Sequence, residues 1–276
     1  MGSNWENFLK NLGEWRGSFT QLSPQGEILS STPSILNLEA FEENQLVQFR
    51  LRRYATPDYQ EPPLQDYRQD YRTLGRQIIF FDTGAFSKGS FQLAPFSDFG
   101  AEFGFVHQDR RLRLVQLFDQ QSQLSSLTLI REFRNGSQAQ ERPPLTLEQL
   151  LGTWQGQACT AYADLRSPEV TPTELSLQQQ GNELEQHLHF RGQTLVDRAH
   201  IEGNRLLFTS QGQLRQILLL PDGTSCNTPL TLLLRQPFFV EVGWLLATGQ
   251  RQRLIRHYDA TGAWVSATLV TETKLS

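Results

Sequence analysis

The pentapeptide Gly-Glu-Trp-Arg-Gly at residues 13–17 returns as Gly-Thr-Trp-Gln-Gly at 152–156, so that Trp154 follows Trp15 by 139 positions. The offset holds downstream. Thr32, Pro33, Leu36 and Leu38 return as Thr171, Pro172, Leu175 and Leu177, and Glu102, Gly104 and Phe105 return as Glu241, Gly243 and Trp244. After a slip of one residue, Arg113, Leu114, Phe118 and Asp119 match Arg253, Leu254, Tyr258 and Asp259, and Ser126, Thr128, Leu129 and Glu132 match Ser266, Thr268, Leu269 and Glu272. Ordered matches through both halves with one slip mean duplication, and the period is too long for a solenoid unit, so each copy is expected to be a domain. The division falls at residues 1–134 and 145–276, with 135–144 as linker. Asn135-Gly136 gives the linker a turn and Pro143-Pro144 stiffens it, which predicts a fixed orientation of the two halves.

Each copy opens on a short amphipathic stretch, Trp5, Phe8, Leu9 and Leu12 in the first and Leu145, Leu147, Leu150 and Leu151 in the second, spaced for one or two helical turns. A glycine then releases the helix, the tryptophan enters the first strand, and the second glycine relieves crowding where that strand bends. Short strands separated by turn signals follow, with nothing long enough to be a crossover helix. The expectation is an all-β chain of two tandem antiparallel β-barrels, each preceded by a short N-terminal helix and each with enough strands to close on itself and remove its edges.

Two stretches stand out from this pattern. Residues 54–71 carry Tyr54, Tyr59, Tyr67 and Tyr71 among Arg, Asp and Pro, while the second copy has only Arg191-Gly192 in that place. This reads as a long inserted loop whose rings and charges suit a protein or planar-ligand contact, or else as a loop folded over its own barrel. Phe103-Gly-Phe105 places two rings on one face of a strand, where they fill a small barrel or line an apolar cavity.

Charge and motifs exclude several functions. The net charge is −4 and basic residues form no stripe, which argues against nucleic acid. Only Lys10, Lys88 and Lys274 are lysines among 25 basic residues. Arginine at that excess suits a protein-contact surface, although genomic composition produces the same bias. No long apolar run and no basic-then-hydrophobic N-terminus are present, so a soluble, cytoplasmic protein without membrane insertion is expected. Cys159 and Cys226 lack metal spacing and read as reduced thiols. There is no nucleophile elbow, phosphate loop or dinucleotide fingerprint. His187 and His189 share a strand face, but two ligands leave a zinc site short. No catalytic residue, metal or cofactor is therefore expected. Glu102 with Arg113, and Glu241 with Arg253, recur across the repeat; inside a barrel they would bridge one another, or the arginines would anchor a ligand carboxylate.

The Gly-x-Trp opening after a short helix, followed by antiparallel strands, resembles the calycin group of lipocalins and fatty-acid-binding proteins. In that group the tryptophan closes the barrel floor beneath an arginine of the last strand. The resemblance gives Trp15 and Trp154 that part, with Arg131 or Arg134 as the closing arginine in the first copy; the second has Thr271 and Lys274 at those places. The doubled arrangement, with Glu-x-Gly-aromatic in each half, resembles a tandem-calycin family of cyanobacteria and chloroplasts, formerly a domain of unknown function, which includes a chloroplast assembly factor of the ATP synthase F1 sector. The resemblance implies a non-enzymatic scaffold that holds F1 subunits on the cytoplasmic or stroma-equivalent side, peripheral to the thylakoid. Single-barrel calycins that attach or carry phycobilins supply another expectation: a carrier of a bilin, carotenoid or fatty acid, walled by Phe80, Phe103, Phe105, Phe239 and Trp244 and anchored by Arg113 or Arg253, with pigment lyase or isomerase activity left open. No bilin-lyase motif matches residue by residue. A hollow interior of several hundred Å3 would favour the carrier, and a filled one would remove it.

Overall fold

Both tryptophan motifs build the same corner. The computed structural model describes residues 2–210 and 213–275. Helix α1 (Asn4–Leu9) carries a capping box of Ser3 and Glu6, and α2 (Leu147–Leu150) one of Thr146 and Gln149. The indole N–H of Trp15 donates to the Asn11 carbonyl at 2.9 Å, and that of Trp154 to the Leu150 carbonyl at 2.8 Å, tying the start of each first strand to the helix before it. At the second glycine of each motif a Cβ would lie 1.8 Å from the Arg131 carbonyl oxygen (Gly17) or 2.2 Å from that of Thr271 (Gly156). Only glycine lets the first strand press that closely on the last.

The first sheet runs β1 (Gly13–Leu22), β2 (Ile28–Phe41), β3 (Leu46–Arg53), β4 (Gln65–Tyr71), β5 (Ile79–Phe80), β6 (Phe86–Gly89), β7 (Phe99–His107), β8 (Arg110–Phe118) and β9 (Leu124–Arg134). The second runs β10 (Gly152–Tyr162), β11 (Glu169–Gln180), β12 (Glu183–Phe190), β13 (Gln193–Glu202), β14 (Arg205–Ser210), β15 (Gln213–Leu220), β16 (Thr224–Pro229), β17 (Phe238–Ala247), β18 (Gln250–Tyr258) and β19 (Trp264–Lys274). The all-β, antiparallel architecture with a short helix ahead of each sheet is the one expected. The second sheet closes into a ten-stranded barrel, whereas the first curls in the order β4-β3-β2-β1-β9-β8-β7-β6-β5 and leaves a seam between β4 and β5.

That seam corrects the reading of residues 54–71 as one loop. Residues 65–71 are strand β4, paired to β3 from Val47↔Tyr71 to Arg53↔Gln65, and only 54–64 is loop. Alternation decides it, because Tyr67, Gln69 and Tyr71 line the interior and the charged residues between them face out. By position β4 is the counterpart of β13. What the first copy lacks is a counterpart of β14, since residues 72–78 lead directly into β5, whose Phe80 corresponds to Leu219 of β15.

The two sheets pack through an internal pseudo-twofold. Leu93 N–H donates to the Gly262 carbonyl at 2.8 Å, and its counterpart Leu232 N–H to the Ser122 carbonyl at 2.9 Å. Trp264 N–H to Phe91 O (2.7 Å) is mirrored by Leu124 N–H to Leu230 O (2.9 Å), and the bridge Gln92↔Ala263 by Gln123↔Thr231. Residues also meet their own counterparts: Phe99 and Phe238 lie 5.5 Å apart between ring centroids, and Phe105 and Trp244 6.1 Å. This is the reciprocal pattern of an isologous dimer interface within one chain. One hydrophobic cluster accordingly spans both halves, including Phe99, Phe103, Phe105, Leu114 and Phe118 from one side and Phe238, Val242, Trp244, Leu254 and Tyr258 from the other.

Candidate functional site

The faces of β7 and β17 turned away from this interface form the barrel interiors, and there the repeated charged residues meet. In the first half the Arg113 guanidinium donates to Glu132 at 2.8 and 3.2 Å and to Glu102 at 3.1 Å, Arg111 donates to Glu132 at 2.5 Å, and the Lys88 ammonium reaches Glu102 at 2.8 Å. In the second half Arg253 donates to Glu272 at 2.9 and 3.3 Å and to Glu241 at 3.2 Å, and Arg251 to Glu272 at 2.5 Å. Burial alone would raise the Glu102 carboxyl, but Lys88 and Arg113 hold it down at about 2. Burial likewise works against ionisation of Glu132 and Glu272, and in each case the two flanking arginines reverse it. Desolvation pulls the Arg111 guanidinium down to about 10 in spite of Glu132. The Glu–Arg bridge in each half is present as one of the two readings expected, and all three guanidinium nitrogens of Arg113 and of Arg253 already have partners.

Above these networks both interiors are hollow. The second barrel encloses about 500 Å3, walled by Ala158, Leu188, Phe190, Phe239, Ile255 and Val270, with a further pocket of about 100 Å3 beneath it toward Arg251 and Leu150. At the mouth Arg166 stacks 3.5 Å above the Tyr162 ring and Arg191 donates to the Tyr162 hydroxyl at 2.7 Å. His257 also lines this cavity, and desolvation, helped by Arg191 against Glu241, keeps its imidazole below the usual range. The first half encloses about 300 Å3 between Phe8, Phe49, Tyr67, Tyr71, Phe80 and Phe86.

The other candidates divide between these surroundings. Phe103, Phe105 and Trp244 are fully buried in the interface between the halves, outside either cavity, while Phe80 and Phe239 are wall residues. Tyr54 and Tyr59 pack edge to face at 5.1 Å in the loop 54–64, with Arg16 above Tyr59, whereas Tyr67 and Tyr71 face the first cavity. The cation over Trp15 is Arg134, 4.4 Å from the ring, and Lys274 takes the equivalent place 5.7 Å from Trp154, joined there by Arg251 at 4.5 Å. Arg131 instead donates to Thr20 at 2.8 Å and to Glu141. An odd separation along one strand sends Arg131 and Arg134 to opposite faces, so only one can reach the floor.

Sequence reasoning did not single out Arg111, Arg251, Glu132 or Glu272 as members of the networks, although all four recur at one offset. It also missed a cluster at the linker. Asp222, buried at φ 61°, accepts from the Arg110 side chain and from Arg142 N–H at 2.8 Å, and its own carbonyl accepts from the Trp244 indole at 2.9 Å.

Residues 1–137 match the family model of the N-terminal part of a domain of unknown function, DUF3598, and residues 141–275 match that of the C-terminal domain of biogenesis factor required for ATP synthase 1. Among solved structures, a protein of unknown function from the DUF3598 family of Nostoc punctiforme is 46% identical, with 100% of each chain covered and a TM-score of 0.93. An S-type phycobiliprotein lyase from Guillardia theta is 13% identical, covering 47% of this chain and 90% of its own, with a TM-score of 0.38. No curated protein matches the chain.

Proposed function

The chain belongs to the DUF3598 family, and from that premise we propose that it is a non-enzymatic assembly factor acting through protein contacts on the ATP synthase F1 sector of a phototroph, at the cytoplasmic face of the thylakoid. One observation carries this reading: residues 141–275, the closed barrel with its approach, match the C-terminal domain of a factor named for ATP synthase biogenesis. The interior chemistry agrees with it. The charged residues that a sequence would offer as catalytic or anchoring groups neutralise one another across each barrel. The pseudo-twofold interface also fixes two outward surfaces relative to each other, as holding a multi-subunit intermediate requires. Deletion of the gene in a cyanobacterial host should lower assembled F1, and a tagged chain should co-purify F1 subunits. Unchanged F1 levels with no F1 subunit recovered would end this reading.

A second reading rests on the cavity of about 500 Å3, large enough for a hydrophobic small molecule such as a carotenoid fragment, bilin or fatty acid. Arg253 lines this cavity with each of its three guanidinium nitrogens already bonded to Glu241 or Glu272, while Arg251, whose Nη2 has no hydrogen-bond partner among the described residues, lines the smaller pocket beneath it. Native mass spectrometry and an absorbance spectrum of protein purified from the phototroph decide it. A mass equal to the bare chain and no visible absorbance would remove the carrier.

A further inference from the structure

The two halves carry nearly the same strands, and the place where they differ is an open edge. In the second barrel β14 sits between β13 and β15 and pairs with both, Ala199↔Phe208 on one side and Phe208↔Arg215 on the other. Its Leu206 and Phe208 are buried in the barrel. The first half has no strand there, and β4 ends the sheet.

The two sides of the seam are not equivalent. On the β5 side, α1 supplies what a strand would: the Asn4 side chain accepts from Phe80 N–H at 2.6 Å and donates to the Ile78 carbonyl at 2.8 Å, and Asn7 donates to the Phe80 carbonyl at 3.3 Å. Phe8 of the same helix fills between Tyr71 and Phe80, with centroid distances of 5.7 and 5.1 Å. On the β4 side nothing comparable among the described residues covers residues 65–70, all of which are exposed. Tyr67 is 54% exposed and Leu64, just before the strand, 66%. Unpaired backbone beside exposed apolar side chains is the kind of edge that soluble proteins ordinarily cover or blunt.

We propose that the outer edge of β4 is a docking site for an extended segment of a protein partner, which adds to the first sheet as an antiparallel or parallel strand. This rests on the protein-contact reading above. The internal repeat shows the chemistry that fits the slot, because β14, Arg-Leu-Leu-Phe-Thr-Ser, places Leu206 and Phe208, two positions apart, toward the interior. Asp66, Arg68 and Asp70 lie on the outward face of β4, with Asp66 held by Arg50 at 2.7 Å. The occupant therefore has apolar residues at alternate positions, to lie over Tyr67, and between them outward residues that include a basic one beside Asp70.

Hydrogen–deuterium exchange on the full chain tests this, with purified F1 sector and, separately, with a synthetic peptide of residues 203–209 of this chain as probes. Each bound probe is expected to slow exchange at 65–71 on the order of tenfold, since an edge amide that gains a ladder bond exchanges only on release. Tyr67→Lys, at a position 54% exposed, should abolish that protection, as should a peptide carrying L206D and F208D. If F1 binds but protects other residues, and Tyr67→Lys captures F1 as well as the unaltered chain does, the edge proposal is overturned while the assembly reading stands. Absence of F1 binding instead ends the assembly reading, and the peptide then decides the edge: protection at 65–71 upholds a strand-docking site, and none overturns it.

Discussion

If the two halves are held as an internal dimer, removing a ring at its axis must destabilise both at once. Phe99 is 1% exposed and lies 5.0 Å from Tyr258, 5.5 Å from Phe238 and 5.7 Å from Phe118, so that two of its three ring contacts cross between the halves. Truncating a buried phenylalanine costs about 3–5 kcal/mol through lost transfer energy and the cavity left behind. Phe99→Ala should fall in that range, and Phe238→Ala should do the same, because Phe238 stacks on Tyr258 at 4.7 Å and meets Phe99 edge to face. As the two rings touch, the double variant should lose less than the sum of the single losses by about 0.5–1.5 kcal/mol. Urea unfolding followed by amide exchange and mass spectrometry separates the halves, with β1 reporting on one and β10 on the other. Both strands should lose protection at the same urea concentration in the unaltered chain and move down together in each variant. Loss of protection in β1 with β10 unmoved, or additivity within about 0.3 kcal/mol, would refute an interface shared by both halves.

Three more outcomes follow from the interior networks and the buried thiol. Glu272→Gln leaves Arg251 and Arg253 without the carboxylate they share, and should cost about 3–5 kcal/mol, read as a lower thermal midpoint by roughly 2–4 °C per kcal/mol for a chain of this size; a shift within scatter would mean the network is worth little. The folded-state depression of Glu102 from 4.5 to about 2 contributes stability that is present above pH 4.5 and lost as the pH falls toward 2. Lys88→Asn, which installs the residue found at the equivalent Asn227, should weaken that depression and move the acid unfolding midpoint upward, whereas an unchanged acid midpoint would contradict the role given to Lys88. Cys226 is fully buried and its thiol is pushed up by burial, so a thiol reagent should reach it only on unfolding; fast reaction in the native state would place it wrongly.

Much of the architecture could be read from spacing alone. The tryptophan corners, the strand content and the pairing of Glu102 with Arg113 follow from local chemistry repeated at one offset. The interface between the halves was harder, yet its signal was present. Glu102 and Phe103 are adjacent on one strand and must face opposite ways, so they cannot both lie inside one barrel. Assigning the Glu–Arg bridge to the interior already sends Phe103, Phe105 and their counterpart Trp244 outside, where only burial against another surface makes three large rings tolerable. The second copy supplies that surface. The open seam was hidden for a different reason: strand β4 is charged at every second position and reads as loop until its partner β3 is known, and the absence of one strand leaves no mark except a connection too short to hold it.

Duplication explains why the halves could diverge in this way. In a true twofold dimer any change appears on both sides of the axis, so a strand lost from one barrel is lost from both. Fusing the copies removes that constraint while keeping the reciprocal contacts, such as Leu93 with Gly262 and Leu232 with Ser122. The closed copy retains a barrel with the larger cavity and a neutral Asn227 beside Glu241, while the other copy places Lys88 beside Glu102 and ends its sheet on a free strand. The paired charges of the floors, Arg111 and Arg113 with Glu102 and Glu132 in one copy and Arg251 and Arg253 with Glu241 and Glu272 in the other, are what both copies kept. Divergence therefore includes the strand edge and the neighbour of the floor glutamate, Lys88 in one copy and Asn227 in the other.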